Sequence, residues 1–163
     1  MNQLVIQSSS PDQTEALGRQ LGALAEAGMF IALCGELGGG KTCFTRGFVA
    51  AAAPGSSHLV SSPTFAIMNE YAGTPSVYHF DFYRLTSEHE IVELGFEEYF
   101  QGQGICIAEW AERLGGLVPP DHLRITFAHG GDDRRTIALA AHGAASRALL
   151  ARIAEGLSKD KIL

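Results

Sequence analysis

The stretch MFIALCGELGGGKTCF, residues 29–44, decides the fold of this chain. It opens with an apolar run that ends at Cys34, as is typical of a strand buried on both faces of a parallel sheet. Gly35 to Thr42 then reads G-x-x-x-x-G-K-T, which is the pattern of a phosphate-binding loop. From Lys41 onward, apolar residues recur at helical spacing until the chain reaches Pro54. A strand, a glycine loop and a helix in this order are the context that such a loop requires.

The residue types in this loop suit the phosphates of a nucleoside triphosphate. Glycines let the backbone turn its N–H groups inward, because no Cβ restricts their φ angles. The helix that follows adds the positive end of its dipole. Lys41 supplies a charge for the β- and γ-phosphates, and the Thr42 hydroxyl can ligate Mg²⁺. The alternative, a glycine-rich turn with a chance lysine, does not explain the complete match between a strand and a helix.

Outward from this unit, the chain alternates predicted strands and helices. Further strands are predicted at 4–6, 65–71, 77–83, 104–109, 123–128 and 135–140. Further helices are predicted from Pro11 to Gly28, over 88–100 with a break near Gly95, and over 144–155 with an end at Gly156. This order predicts a single α/β domain over residues 1–157, with buried parallel strands in the centre and antiparallel strands at the edge, and a C-terminal tail over 158–163.

The amino-acid composition argues for a globular protein and against several functional classes. The 163 residues are 46% hydrophobic, which is enough for a proper core, and the formal net charge is -6. An acidic balance argues against a protein whose main task is to coat nucleic acid or an anionic membrane. The three cysteines form no C-x-x-C pair, so we expect free thiols in a reducing cytosol. No signal peptide or membrane-spanning run is found, and the prediction is a cytoplasmic protein with no membrane partner.

Two acids are candidates for the metal-dependent chemistry of this loop. Nucleotide hydrolysis needs a carboxylate at the C-terminal end of a neighbouring buried strand. Glu109 ends the apolar run over 104–109, and Asp81 lies in the apolar stretch over 77–83. A carboxylate in such surroundings is costly unless a partner compensates it, so each could instead be a capping or ion-paired group. The residues alone leave open which acid is the principal Mg²⁺ ligand.

The region after Asp81 separates several nucleotide-dependent classes. Arg84 stands where a GTPase of the D-x-x-G type has glycine, and a guanine-specifying N/T-K-x-D motif is approached only near the C-terminus. Between Arg84 and Arg113 the sequence has no Lys or Arg, whereas small-molecule kinases usually close an arginine-bearing lid over the phosphates. The acids found there would repel a phosphorylated acceptor and RNA, although such runs are commonly just solvated faces. They are Glu88, Glu90, Glu93, Glu97, Glu98, Glu109 and Glu112.

Five segments, in order, carry a resemblance to a known family. They are GELGGGKT from Gly35, SSPTFAIMNEY from Ser61, HFDFYRL from His79, ELGFEEYF from Glu93 and AEWAER from Ala108. The chain closely resembles the bacterial TsaE/YjeE family, the small ATPase of tRNA threonylcarbamoyladenosine biosynthesis, from about Ser10 to Arg135. It departs from the family at Gly39, where alanine is usual, at Cys43, where threonine is usual, and at Ala108, where a larger apolar residue is usual. Gly39 and Cys43 carry no required side chain, and Ala108 is a conservative change for a buried strand.

The resemblance implies a fold and a function. The fold would be a three-layer P-loop NTPase-like α/β fold, with a central parallel sheet flanked by antiparallel strands. The cofactors would be ATP and Mg²⁺, with slow hydrolysis. The partners would be TsaB and TsaD, of which TsaD transfers threonylcarbamoyl to tRNA at A37, and tRNA would be contacted only indirectly. Two alternatives stay open, a small-molecule kinase with an unusual lid and a nucleotide-binding interaction module without turnover.

The resemblance also implies residue roles. Thr42 and Glu109 would hold Mg²⁺, and Thr64 resembles a switch threonine that senses the γ-phosphate. Asp81 would orient the attacking water or bind a water of the metal, which with Lys41 and Thr64 completes the catalytic set. The phosphates would be held by Glu36, Leu37, Gly38, Gly39, Gly40, Lys41 and Thr42.

Four residues near the two acids receive weaker assignments. Strand alternation predicts that His79 and Tyr83 share a strand face with Asp81. We expect His79 to be packed and not catalytic. Trp110 follows Glu109 at a strand end, where both packing and a contact with TsaD are plausible roles, and Arg84 is a candidate to pair with a carboxylate or with TsaD.

Overall fold

The strand and helix on either side of the glycine loop form as predicted. A computed structural model of the chain describes residues 2–35, 40–56, 60 and 67–160. Its strands are β1 (Gln3–Ser8), β2 (Phe30–Gly35), β3 (Met68–Tyr71), β4 (Val77–Asp81), β5 (Ile105–Glu109), β6 (His122–His129) and β7 (Arg135–His142). Its helices are α1 (Pro11–Leu24), α2 (Lys41–Ala52), α3 (Glu88–Glu93), α4 (Glu97–Phe100) and α5 (Ala144–Asp160), with a 3₁₀ segment at Ala111–Leu117.

The strands form one mixed sheet in the order β1-β7-β6-β2-β5-β4-β3. The four inner strands β4, β5, β2 and β6 are parallel to one another. At one edge β3 runs antiparallel to β4, and at the other β7 and β1 continue the sheet in antiparallel pairs. This arrangement confirms the prediction of a central parallel sheet flanked by antiparallel strands. It also places β2, which leads into the loop, between β5 and β6.

Helices cover both faces of the sheet, which confirms the three-layer fold. Ile31 and Leu33 of β2 join the core beneath α1, α2 and α5. Phe30, Ala32 and Cys34 of the same strand join the core beneath α3, α4 and the 3₁₀ segment. Successive side chains of a strand point to opposite faces, so an entirely apolar strand is what two buried faces require.

Glycines bring α1 and α2 into close contact on one face. A Cβ at Gly18 would overlap the Phe44 backbone oxygen, and one at Gly47 would overlap the Glu15 backbone oxygen. Ser10 caps α1 by accepting a hydrogen bond from the Gln13 N–H, as the sequence predicts. The position of α2, which carries Lys41 at its first residue, is therefore fixed by backbone-to-backbone packing.

Three predicted boundaries were wrong. β4 ends at Asp81 and not at Tyr83, because Asp81 Oδ1 accepts a hydrogen bond from the Tyr83 N–H (3.0 Å) and turns the chain. Tyr83 therefore does not share a strand face with the acid. Helix α1 ends at Leu24, four residues before Gly28.

The third wrong boundary is the end of the last helix. α5 continues through Gly156 to Asp160, although the sequence predicted an end at Gly156. Leu157 packs against the core, and this contact offsets the cost of about 1 kcal/mol for a glycine within a helix.

Candidate nucleotide-binding site

Three of the predicted site residues, Asp81, Glu109 and Lys41, meet at the carboxyl ends of the inner strands. In the sheet register Asp81 at the end of β4 lies beside Glu109 at the end of β5, and Glu109 lies beside Leu33 of β2. Lys41, the first residue of α2, lies at the same edge, where its Nζ donates to the carbonyl oxygen of Gly35 at the end of β2. The charges of Glu109 and Asp81 act on its ammonium group. In open α/β sheets, ligands bind beside the carboxyl ends of the strands. They bind at the point where the order of successive strands along the sheet reverses.

Two glycines define the ends of the loop. Gly35 has φ 121° and Gly40 has φ 102°, values that favour glycine. A Cβ on Gly35 would also overlap the Phe127 backbone oxygen. Gly40 precedes the first turn of α2, and the N-terminus of a helix is a place where backbone N–H groups can bind an anion. The predicted phosphate-binding residues Glu36, Leu37, Gly38 and Gly39 lie outside the described residues, as does the predicted switch residue Thr64.

Lys41 is a buried cation. Only 5% of its surface is exposed, and its Nζ donates to the Gly35 carbonyl oxygen at 2.7 Å. The Nζ also lies 4.1 Å from the centroid of the Trp110 ring, a cation–π contact. Burial lowers the pKa of Lys41, while the nearby carboxylates of Glu112 and Glu109 act in the opposite direction. Thr42, the other predicted side chain of the loop, follows it in the first turn of α2 and is half-buried.

The two acids have different environments. Asp81 is half-buried, and burial raises the pKa of its carboxyl. The hydrogen bond from the Tyr83 N–H acts to lower this pKa, whereas the charge of Glu109 acts to raise it. Glu109 is 3% exposed, and its Oε2 lies 2.6 Å from Nε2 of His79. Asp81 thus lies nearer to solvent, whereas Glu109 is held inside the protein by a histidine.

His79 is packed, as expected, but it is not an inert core residue. Its side chain is completely buried, and its other ring nitrogen, Nδ1, lies 3.5 Å from the hydroxyl of Tyr71. The two rings are stacked, with centroids 6.2 Å apart and an angle of 27° between planes. A buried series of polar contacts therefore runs from Tyr71 through His79 to Glu109. This series of contacts was not predicted from the sequence.

Trp110 adopts a left-handed backbone conformation (φ 58°, ψ 41°) directly after β5. Its ring lies between the site and the surface: it contacts Lys41 on one side, and its centroid is 4.9 Å from that of Tyr83. Tyr83 is 49% exposed, and Arg84 after it is exposed as well. Trp110 therefore has the packing role considered for it, through Lys41 and Tyr83, whereas its contact with TsaD stays a prediction.

Glu112 belongs to the site although the sequence analysis counted it only among the acids of this region. Its Oε2 accepts a hydrogen bond from the Gly35 N–H at 3.2 Å. It follows Glu109 by three residues, in the 3₁₀ segment, so the turn after β5 returns its carboxylate to the start of the loop. The spacing within AEWAER was the available signal.

Comparison with known proteins identifies the family. The model of the family described as threonylcarbamoyl adenosine biosynthesis protein TsaE matches residues 8–137, more than half of the chain. The chain belongs to the TsaE family. The match extends from the end of β1, through the glycine loop and Glu109, to the start of β7.

Individual TsaE proteins are similar over most of their length. The tRNA threonylcarbamoyladenosine biosynthesis protein TsaE of Bacillus subtilis is 42% identical over 144 residues, which cover 88% of this chain and 89% of that protein. The protein of the same name from Treponema pallidum is 35% identical, over 82% of this chain and 97% of that protein. A crystal structure of Bacillus subtilis YdiB superposes with a TM-score of 0.77 at 33% identity, over 94% of this chain and 95% of that one.

The donor atoms at this edge of the sheet fit a magnesium ion. Thr42, Asp81 and Glu109 offer hydroxyl and carboxylate oxygens, the ligands that Mg²⁺ prefers. Among the described residues, no three His, Cys, Asp or Glu side chains converge into a set that would hold a metal by itself. That is compatible with Mg²⁺, which is usually held by one or two protein groups together with the phosphates of its substrate.

The described helices of this TsaE-family chain were compared with what a membrane span requires. Within the described residues, none of them combines the length and the apolar character that crossing a bilayer requires.

Proposed function

We propose that this TsaE-family chain is a Mg²⁺-dependent ATPase, slow on its own, that supports N6-threonylcarbamoyladenosine modification of tRNA by acting on a complex of TsaB and TsaD. The observation that carries the proposal is a buried lysine at the N-terminus of a helix, facing two carboxylates at the ends of adjacent parallel strands. The names of the relatives support the choice of pathway.

Phosphate binding would rely on Lys41 and the start of α2. The ammonium group now donates to the Gly35 carbonyl oxygen, and a phosphate oxygen would offer it a stronger, charged acceptor. The N–H groups at the start of α2 add further donors. Because Lys41 is buried, its contact with a phosphate would be stronger than the same contact in water.

Glu109 and Asp81 would bind the metal and orient the attacking water, respectively. Thr42 and Glu109 would hold Mg²⁺, which when bound neutralises charge on the phosphate oxygens. Asp81 would orient the attacking water, since its carboxylate accepts one hydrogen bond from the Tyr83 N–H and has acceptor capacity left. Its position beside Glu109 in the sheet register keeps that water close to the metal ligands.

The partner surface would lie next to the nucleotide. Tyr83, Val92 and Leu94 are large apolar side chains that are 46–49% exposed, on the segment that follows β4. Glutamates surround them, with no lysine or arginine between Arg84 and Arg113, so this surface suits a protein partner and repels the tRNA phosphate backbone. Arg84 and Trp110, the predicted contacts with TsaD, flank it.

A turnover assay tests the proposal. Release of inorganic phosphate from ATP is measured for the chain alone and with purified TsaB and TsaD, with Mg²⁺ and with EDTA. We expect slow Mg²⁺-dependent release that rises with the partners. Transfer of phosphate to a metabolite would indicate a small-molecule kinase instead. Tight ATP binding without release in any condition would indicate an interaction module.

A further inference from the structure

Glu109 depends on one neighbour for its orientation. Its carboxylate is 3% exposed, and in the described part of the chain the side chain within hydrogen-bond distance of it is His79, at 2.6 Å from Oε2. A buried carboxylate without a partner is costly, and a short contact with an N–H donor offsets much of that cost. The contact engages one of the two carboxylate oxygens, Oε2.

The sheet explains why this pair can form. His79 and Glu109 lie on adjacent parallel strands, and Asp81, two residues after His79, is paired in register with Glu109. Residues two apart on a strand share a face, so His79, Asp81 and Glu109 lie on one side of the sheet. Asp81 and Glu109 end their strands at the open edge, whereas His79 lies one step inside it. It can therefore support Glu109 without itself reaching the nucleotide.

Tyr71 completes the support from the opposite side of the imidazole. It is 3% exposed and lies in β3, the strand next to β4. Its hydroxyl is 3.5 Å from Nδ1, a long contact, and its ring is stacked on the imidazole. A hydroxyl that donates to Nδ1 favours the tautomer with the proton on Nε2, where it points at Glu109.

We propose that His79 is a positioning residue, which fixes the carboxylate of Glu109 in the orientation that receives the magnesium–nucleotide complex, and that Tyr71 holds the imidazole in place. The inference rests on the proposed function, in which Glu109 is a metal ligand. Partners of this kind behind a metal ligand typically contribute a factor of roughly 10–100 to metal affinity. His79 does not touch the substrate, so its effect is expected in the metal-dependent part of binding.

The test compares two replacements of His79 that both carry a side-chain amide but differ in length. The amide of His79→Gln reaches about as far as Nε2 and keeps a donor to Glu109, whereas the shorter amide of His79→Asn ends near the position of Nδ1. Calorimetry with a non-hydrolysable ATP analogue, in Mg²⁺ and in EDTA, gives for each variant the ratio of the two affinities. We expect His79→Asn to lower this ratio by about 10–100-fold. His79→Gln should restore most of it, with affinity in EDTA unchanged in both.

One further variant and a folding control extend the design. Tyr71→Phe keeps the stacking and should change the ratio by less than about threefold, since the lost contact is long. Thermal unfolding in the absence of nucleotide checks that each variant is folded. Equal ratios for His79→Asn and the unaltered protein would overturn the inference, as would equal losses in Mg²⁺ and EDTA, which indicate a merely structural role.

Glu109→Gln separates this inference from the proposed function. If that variant lowers the Mg²⁺ ratio and the His79 variants do not, Glu109 is a metal ligand and only the positioning role is wrong. If Glu109→Gln leaves the ratio unchanged, the metal-ligand assignment is wrong and the positioning role fails with it. The expected result is a large loss for Glu109→Gln and a comparable loss for His79→Asn.

Discussion

At the scale of single residues, the carboxylates of Glu109 and Asp81 lie on adjacent strands but in different environments. Glu109 is buried against His79, and Asp81 is half-buried with one backbone hydrogen bond. A group already fixed before the ligand arrives is suited to hold a metal, because little ordering remains to be done on binding. A group nearer to solvent is suited to contact water. This contrast supports the proposed metal and water roles, which the family resemblance implies.

This contrast predicts that replacing Glu109 and replacing Asp81 have different effects on ATP binding and turnover. Glu109→Ala should weaken ATP binding in Mg²⁺ by about tenfold or more, because it removes the proposed metal ligand and leaves His79 without its partner. Asp81→Ala should bind Mg²⁺–ATP within about threefold of the unaltered protein but lose turnover, because orienting water matters only on the way to the transition state. Calorimetry paired with a phosphate-release assay measures both. The reverse pattern, with Asp81→Ala failing to bind and Glu109→Ala binding normally, would exchange the two roles.

The thiols give a second prediction at this scale. Burial raises the pKa of Cys106 to about 12 and that of Cys34 to about 11, so at pH 8 both are almost entirely protonated and unreactive. Cys43 is half-buried in the first turn of α2. A disulfide exchange reagent at pH 8 should label Cys43 first and the other two only on unfolding, with peptide mass spectrometry locating the label. Rapid labelling of Cys106 in the folded protein would contradict this description of the core.

At the scale of elements, α2 depends on α1 through glycines. Gly47→Ala would drive a Cβ into the Glu15 backbone oxygen, and such overpacking costs roughly 1–3 kcal/mol. Gly156→Ala in α5 is the matched control: nothing lies within 4 Å of its Cβ position, so the change should stabilise by about 0.5–1 kcal/mol. Urea denaturation measures both free energies of unfolding. Equal stability of the two variants would mean that α1 and α2 are not locked together.

Local signals predicted most of the elements, and their limits are visible in particular residues. The apolar run before Gly35, the Ser10 cap and the break at Gly95 each depend on nearby residues, so sequence alone was sufficient for them. The end of β4 at Asp81 depends on a side-chain hydrogen bond that competes with the strand, and the length of α5 depends on core contacts of Leu157. Neither appears in a local pattern.

The His79–Glu109 pair shows a second kind of limit. The two residues are 30 positions apart, and they meet because β5 is inserted between β2 and β4 in the sheet. Strand order is a property of the whole chain, so no spacing rule predicts this contact. Glu112 is an intermediate case, since its return to Gly35 requires the turn after β5, which begins with the left-handed Trp110.

At the scale of the whole molecule, the nucleotide edge and the proposed partner surface are physically continuous. Trp110 contacts Lys41 on one side and Tyr83 on the other. The side chain of Glu88, at the start of α3, accepts a hydrogen bond from the Gly116 N–H at 2.9 Å and joins that helix to the 3₁₀ segment. A nucleotide that engages Lys41 can thus alter the contacts of surface residues without long-range rearrangement.

This continuity predicts a coupling between ATP and the partners. The TsaB–TsaD complex should bind the ATP-loaded form more tightly than the ADP form, and by linkage must then raise the affinity for ATP over ADP by the same factor. Tyr83→Ala should weaken the complex while sparing ATP binding, because Tyr83 is exposed and contacts Lys41 only through Trp110. Pull-downs at matched occupancy of an ATP analogue and of ADP measure the effect. Equal capture in both states would mean that the nucleotide has a structural role.

The most direct test of the nucleotide site itself is the affinity of the chain for Mg²⁺–ATP before and after loss of the buried lysine. Lys41→Ala removes a charge-assisted contact worth about 1.5–3 kcal/mol, so calorimetry should show affinity falling by roughly tenfold or more while the fold is retained. Arg152→Ala, on the exposed face of α5, is the control and should leave affinity unchanged. An affinity for Mg²⁺–ATP that is the same in Lys41→Ala as in the unaltered protein would contradict the account.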